Sequence, residues 1–323
     1  MVGNERYFQI LKETEEIMHN IAVAMSTYNG ELYIKEQIDS ILKQKIVKVE
    51  LFVRDDGSKD KTLEILQTYG EKWNNIHFIK GENLGVGNSF MELLYSIGCK
   101  YDYYAFADQD DVWLPDKLNQ GISKIKDNNK PCLYVSNQIL VDKDLNRLKM
   151  RFDTPPGVVY KQILCQNRVS GCTMIWNRKM QELLINANRR PSKELLKNRI
   201  HDVWVAMVAS VAGKIIYDAN SYILYRQHNN NVVGVKKNSI IKQWMKKLKD
   251  DSQRNGRSKL CKEVYEKFGD IIFDEKCKKT LEIYGNYRNE WQNKIQLLQD
   301  SDIIKYTGES AFGLKMKILF NLF

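Results

Sequence analysis

Residues 21–70 read IAVAMSTYNGELYIKEQIDSILKQKIVKVELFVRDDGSKDKTLEILQTYG. Two short apolar runs, Ile21 to Met25 and Val49 to Val53, each end in a polar cluster. Each cluster is followed by a stretch with helical spacing, as in Ile34, Ile38 and Ile41. Short apolar runs bounded by turn residues read as buried strands, and the i, i+4, i+7 pattern reads as an amphipathic helix. The rhythm is therefore βαβα. It continues with IHFIKG (76–81), a helix-like GVGNSFMELLYSIG (85–98) and YDYYAFA (101–107). This alternation predicts a parallel sheet with crossover helices. In such sheets ligands gather at the carboxyl ends of the strands. Three polar clusters fall there: Ser26 to Asn29, Arg54 to Ser58 and Asp108 to Asp111.

After Pro131 the rhythm loosens. CLYVSNQILVD (132–142) reads as a strand, DTPPG (153–157) as a loop, and VSGCTMIWNRKM (169–180) as a strand that turns into a helix. HDVWVAMVASVAG (201–213) is helix-like and KIIYDANSYILYRQH (214–228) strand-like, so this half reads as α+β. Beyond Val235 the text becomes lysine-rich and helical. The expected organisation is an N-terminal extension over 1–20, an α/β domain over 21–235 and a helical basic C-terminal region over 236–323.

The composition fits a folded protein: 323 residues, 43% hydrophobic and 11% aromatic, allow one large core or two moderate ones. Of the net charge of +10, +7 lies after residue 235, where 19 Lys and Arg face 12 Asp and Glu. A basic balance concentrated in one tail, without a recognisable nucleic-acid motif, argues against a nucleic-acid partner. The six cysteines form no CxxC pair and no framework spacing, which points to a reducing, cytoplasmic setting. The first twenty residues carry Glu5, Glu13, Glu15 and Glu16 and do not resemble a signal peptide. No segment approaches the roughly 18 apolar residues of a membrane span.

The stretch YAFADQDDVWLPDKL (104–118) places Asp108, Asp110 and Asp111 directly after an apolar run. Adjacent carboxylates repel, so a positive partner is expected. In extended chain Asp108 and Asp110 point to the same side and suit a hard divalent cation that leaves positions open for phosphate oxygens. The alternative is a solvated turn in which Asp111 or Asp116 caps the helix that begins near Pro115. In RDDGSKDKT (54–62), Ser58 or Asp60 can serve as a helix N-cap, which leaves Asp55 and Asp56 at the strand end to accept hydrogen bonds from a ring N–H or a sugar hydroxyl.

Six segments, STYNGELYI, DDGSKDKT, NLGVGNSF, ADQDDVWLPDKL, HDVW and YRQHNNN, occur in the order found in inverting glycosyltransferases of family two, over residues 21 to about 235. The chain resembles that family. The forms ADQDDVW and RQH are most similar to its rhamnosyltransferase-like branch. The resemblance implies a GT-A fold, a Rossmann-like nucleotide-binding mixed sheet, with a nucleotide-sugar-binding half (21–115) and an acceptor-binding half (116–235). It also implies roles for single residues. Ser26 and Tyr28 face the nucleobase, the lesser alternative being that Thr27 and Tyr28 only shape the turn. Asp56 reads a pyrimidine N3–H with Asp55 beside it. Asn83, Gly85 and Asn88 face the ribose and sugar. DQD is the DXD-type metal motif: Asp108 lies near ribose and metal, and Asp110 is the direct ligand of Mn²⁺ or Mg²⁺. Asp111 faces the acceptor.

Inverting transfer needs one general base opposite the leaving group. Asp202 matches the family's base, with His201 as the alternative; a carboxylate at a helix start is also a good cap. Trp204 is either an acceptor platform or a core residue. His228 is expected at the metal or diphosphate, and Arg226 is expected to neutralise departing charge in the donor site. The NNN that follows reads as a lid.

Two C-terminal stretches, SIIKQWMKKLKDD (239–251) and FGLKMKILFNLF (312–323), combine apolar residues with lysines. Each either packs on the enzyme or rests on anionic lipid at the inner face of the cell membrane. The expected function is transfer of a hexose, L-rhamnose from dTDP-rhamnose first or a sugar from a UDP-hexose, to a glycan or lipid-linked glycan in cell-surface polysaccharide biosynthesis. A nucleotide- or glycan-binding module without turnover is the rival.

Overall fold

The structure, a computed structural model, describes residues 18–228 and 255–323. In chain order the first part runs β1 (His19–Thr27), α1 (Ile34–Leu42), β2 (Val47–Asp55), α2 (Thr62–Lys72), β3 (Ile76–Lys80), α3 (Val86–Ile97) and β4 (Tyr103–Ala107). There follow β5 (Val112–Trp113), α4 (Lys117–Ile125), β6 (Cys132–Val141), β7 (Arg147–Met150), α5 (Tyr160–Cys165), a 3-10 turn (Gly171–Thr173), β8 (Ile175–Asn177), α6 (Arg178–Ile185), α7 (Lys193–Asn198), α8 (His201–Ala212) and β9 (Lys214–Arg226).

These strands form one mixed sheet in the order β3-β2-β1-β4-β8-β6-β9-β5, with β7 on β6. The four strands of the opening rhythm pair in parallel, as their crossover helices require. The sheet turns antiparallel at β4–β8 and β8–β6, where connections no longer follow the βα alternation. β1 shows why the opening stretch was legible. Ala22 and Ala24 enter one core beside α3 and α8, while Ile21, Val23 and Met25 enter the other beneath α1, α2 and α4. Both faces of the strand are covered, so its sequence is continuously apolar. Fully burying Ile21, Val23 or Met25 is worth about 1.5–3 kcal/mol each.

The strand-then-helix reading of 169–180 resolves into the 3-10 turn, β8 and α6, with Asn177 accepting from Met180 N–H at 3.1 Å to cap α6. Asp116 occupies the N-cap position of α4, yet its side chain caps nothing. Asp60 accepts from Thr62 N–H at 3.0 Å, and Ser58 Oγ accepts from Asn29 N–H instead.

The C-terminal helices are α9 (Gly256–Phe268), α10 (Glu275–Asn286), α11 (Trp291–Gln299), α12 (Ser301–Thr307) and α13 (Ala311–Leu319). They bury Leu260, Val264, Phe268, Tyr284, Leu314, Ile318 and Phe323 in the same core as α3 and α8. Lys161 on α5 ties them down through Asp300 at 2.8 Å and Asp302 at 2.9 Å. The terminal stretch is thus divided: Leu314, Ile318 and Phe323 pack inward, while Phe312 and Phe320 face out. The 239–251 stretch, the NNN segment and residues 1–17 lie outside the described residues. Among the described residues no helix is long and apolar enough to cross a membrane.

Candidate active site

The register of the sheet brings the polar clusters together, since Thr27 pairs with Asp55 and Met25 with Ala107. Gln109, the central residue of DQD, then staples β4 to the loop after β1. Its Oε1 accepts from Thr27 Oγ1 at 2.5 Å and Tyr28 N–H at 2.9 Å, and its Nε2 donates to Tyr28 O at 3.1 Å. Gly30 leaves room for it, because a Cβ there would lie 2.5 Å from Oε1 and displace the Gln109 side chain. Tyr28 is left with its ring exposed.

On the donor side a hydrogen-bonded chain runs from Ser26 to Asp56. Ser26 Oγ lies 2.6 Å from Ser89 Oγ, Arg54 donates to Ser89 Oγ at 2.9 Å, and Arg54 pairs with Asp56. Asp56 also accepts from Leu84 N–H at 3.0 Å and Gly85 N–H at 2.9 Å, which fixes the carboxylate against the NLGVG loop. Asn83 and Gly85 are exposed on that loop, and Gly85 adopts φ 80°, a conformation that favours glycine. Two expected donor contacts are buried. Asp55 Oδ2 shapes the turn, accepting from Gly57 N–H at 3.2 Å and Ser58 N–H at 3.0 Å, while its Oδ1 has no hydrogen-bond partner among the described residues. Asn88 is buried, and its Nδ2 donates to Leu84 O and Lys193 O, so it joins two segments.

Four acids from two distant segments converge at the end of β4. Burial first, then Asp110 and Asp202, push the Asp108 carboxyl up to about 7. Asp202 belongs to the first turn of α8, and burial holds it up at about 6 against the lowering effects of Val203 N–H and Arg151. Asp110 Oδ2 lies 2.8 Å from His228 Nε2, whose ring also packs 5.1 Å from Tyr33. The carboxylates repel one another, as expected of a site made for a cation. Oxygen atoms of Asp108 and Asp110 with an imidazole nitrogen fit a hard divalent ion. Behind them, ligand atoms of Asp108, Asp111 and Cys172 also lie within 4.8 Å of one another. Asp111 and Cys172 are fully buried, and Lys117 sits beside them with Nζ 3.7 Å from the Trp113 ring centre. Burial lowers Lys117 to about 7 even though Asp111 and Cys172 favour its charge.

Three further expectations change in the structure. Asp111 is fully buried and accepts from Arg226 N–H at 3.1 Å, so it faces inward and cannot meet an acceptor. Trp204 is fully buried, its ring 5.9 Å from Phe268 of α9, and is a core residue rather than an acceptor platform. Trp204→Phe should therefore cost about 1–3 kcal/mol of stability in denaturant melts, the usual scale for a core change, and leave acceptor KM unmoved. Arg226 is also buried. Its guanidinium donates to Asp110 O at 2.9 Å, to Lys143 O and to Glu36, and lies over the Tyr33 ring. It pins the DQD loop to β9 and does not reach a donor phosphate. Arg226→Lys keeps the charge but loses the planar fork. The expected loss is about 1–3 kcal/mol, read as a lower melting temperature.

His201 is buried and held neutral, pushed down to about 3 by that burial, and stacks 3.9 Å from Phe90. It is closed off from the acids, which favours Asp202 as the base. Arg151, at the end of β7, carried no sequence signal, because an arginine in an irregular loop has no motif around it. It bonds Gln138 and Ser170 and provides the positive charge facing Asp108 and Asp202.

The chain is similar to known proteins in sequence and in fold. The model of the family described as "Glycosyl transferase family 2" matches residues 22–184. The dTDP-rhamnosyl transferase RfbG of Shigella flexneri is 31% identical over 228 residues, covering 65% of this chain and 73% of the relative. The UDP-Glc:alpha-D-GlcNAc-diphosphoundecaprenol beta-1,3-glucosyltransferase WfgD of Escherichia coli is 30% identical over 162 residues, covering 49% of this chain and 60% of the relative. In three dimensions the chain is similar to S. aureus TarS 1-349 in complex with UDP, with a TM-score of 0.57 at 17% identity, covering 94% of this chain and 86% of the other. The curled mixed sheet is the GT-A fold. With the acids of β4 and α8 set at its strand ends, and with the family model covering half of its length, the chain belongs to glycosyl transferase family 2.

Proposed function

We propose that the protein is a metal-dependent, inverting hexosyltransferase of cell-surface polysaccharide biosynthesis, with dTDP-rhamnose as first-choice donor and a glycan or lipid-linked glycan as acceptor. The observation that carries this reading is the convergence of Asp110 and, from α8, Asp202 on Asp108. Rhamnose is supported by the similarity to RfbG, whereas a UDP-hexose is favoured by the similarity to WfgD and by the UDP bound to TarS. In the proposed division, residues 21–115 hold the nucleotide sugar, 116–235 hold the acceptor, and 236–323 form a C-terminal region that also contacts the inner face of the membrane.

Asp108, Asp110 and His228 would hold Mn²⁺ or Mg²⁺, which acts as a Lewis acid toward a diphosphate leaving group. Asp202 takes the proton from the acceptor hydroxyl as its oxygen attacks the anomeric carbon. The bond to the nucleoside diphosphate breaks on the opposite face, with inversion. Ser26, Tyr28 and Asp56 line the nucleobase side, and Asn83 with Gly85 lines the ribose and sugar side. A donor-hydrolysis screen with dTDP and UDP sugars, with and without each cation, tests the reading. Cation-dependent release of dTDP from dTDP-rhamnose is expected. Release from UDP-hexoses alone would select the other donor, and no release from any donor would leave a binding module without turnover.

A further inference from the structure

With Trp204 and Asp111 buried, the acceptor must approach Asp202 along another surface. α8 and β9 are joined at Gly213 and pack against each other in opposite directions. Stepping back from Gly213 to Asp202 covers about 16 Å of helix at 1.5 Å per residue, the reach of about five strand residues. With ideal geometry Asp202 would stand near the level of Asp218 and Ala219.

A cavity of about 310 Å³ opens at this level, lined by Met150, Phe152, Asp153, Pro155, Tyr217 and Ala219 among others. Arg151 connects its rim to the acids. Arg151, whose charge acts on Asp108 and Asp202, lies between Met150 and Phe152 in sequence, and its guanidinium sits 5.1 Å from the Phe152 ring. Its charge also acts on Tyr217. Tyr217 Oη is buried with no hydrogen-bond partner among the described residues, and the Asp153 side chain is exposed. An aromatic ring, an unsatisfied hydroxyl and a carboxylate around a small cavity match the chemistry of a sugar ring, which has an apolar C–H face and a rim of hydroxyls. The volume is at the low end of small-ligand sites, about 300–1,000 Å³, and admits a single ring better than a long chain.

We propose that this cavity is the acceptor subsite and seats the terminal sugar of the glycan, with Phe152 under the ring and Tyr217 and Asp153 on its hydroxyls. The inference rests on the glycosyltransferase reading above. It is tested by saturation-transfer NMR on the full chain with UDP present, using methyl α-L-rhamnopyranoside and methyl β-D-glucopyranoside as probes. At least one glycoside should receive saturation. Phe152→Leu, which keeps an apolar side chain but loses the ring, should weaken binding about 2- to 10-fold, the worth of an aromatic contact. Tyr217→Phe and Asp153→Asn, which remove one polar group each, should weaken it as well. Thermal melts and UDP binding report on folding in each variant. No saturation of either glycoside, or equal saturation in all three variants, overturns the proposal. Loss confined to Phe152→Leu together with loss of UDP binding also overturns it, because that marks a structural role. A chain that binds glycosides here yet hydrolyses no donor would instead refute the transferase reading while keeping the subsite.

Discussion

Asp202→Asn is expected to lower sugar transfer by about 10²–10⁴-fold, the usual contribution of a general base, while nucleotide binding survives. The amide keeps the size of the side chain and an oxygen for Val203 N–H, which Asp202 Oδ1 now accepts at 2.6 Å, so the first turn of α8 stays in place. What it loses is the ability to take a proton. The pH profile supplies an independent readout. A base works in its ionised form, and burial holds Asp202 up at about 6, so transfer should rise with pH through that value and level off above it. A cation bound beside it favours the ionised form and moves the limb to lower pH. In the Asn variant the limb should vanish from the residual rate. Turnover close to normal would place the base on another residue.

Asp110→Ala should abolish cation-dependent donor binding and reduce transfer by about 10³-fold, because a cation on the leaving group is worth several kcal/mol and each 1.36 kcal/mol is tenfold. Stability should hold or rise. The side chain is partly exposed and opens no core cavity when removed, and its charge now raises the carboxyls of both Asp108 and Asp111. Calorimetry of UDP and dTDP binding with and without Mn²⁺, set beside thermal melts, checks both halves. Affinity that still depends on the cation would remove Asp110 from the metal site.

The carboxylate cluster was legible in the sequence for a simple reason. Side chains that must meet a phosphate or a cation sit at strand ends, and strand ends are marked by the switch from apolar to polar text, as at Ala107–Asp108. Asp202 was legible only through resemblance, since an acid in the first turn of a helix is ordinary. Arg226 and Asp111 were misread, and Trp204 was left open between two readings, because type and position do not tell which way a side chain points. In β9 one residue's difference in register sends a side chain to the opposite face, and here Arg226 enters the interior to hold Lys143 O and Glu36.

The sequence by itself determined the parallel core of the sheet, because β1, β2, β3 and β4 carry local signals: short apolar runs, helical spacing between them and polar ends. Only the tertiary structure decided what lies on the far side of that sheet. The pairing of β9 between β6 and β5, the meeting of Arg151 with Asp108 and Asp202, and the burial of α9 and α13 beside α8 join residues tens to hundreds of positions apart. No local periodicity records such contacts. They are selected by the total apolar area that the assembled layers remove from water, which is a property of the whole chain rather than of any window within it.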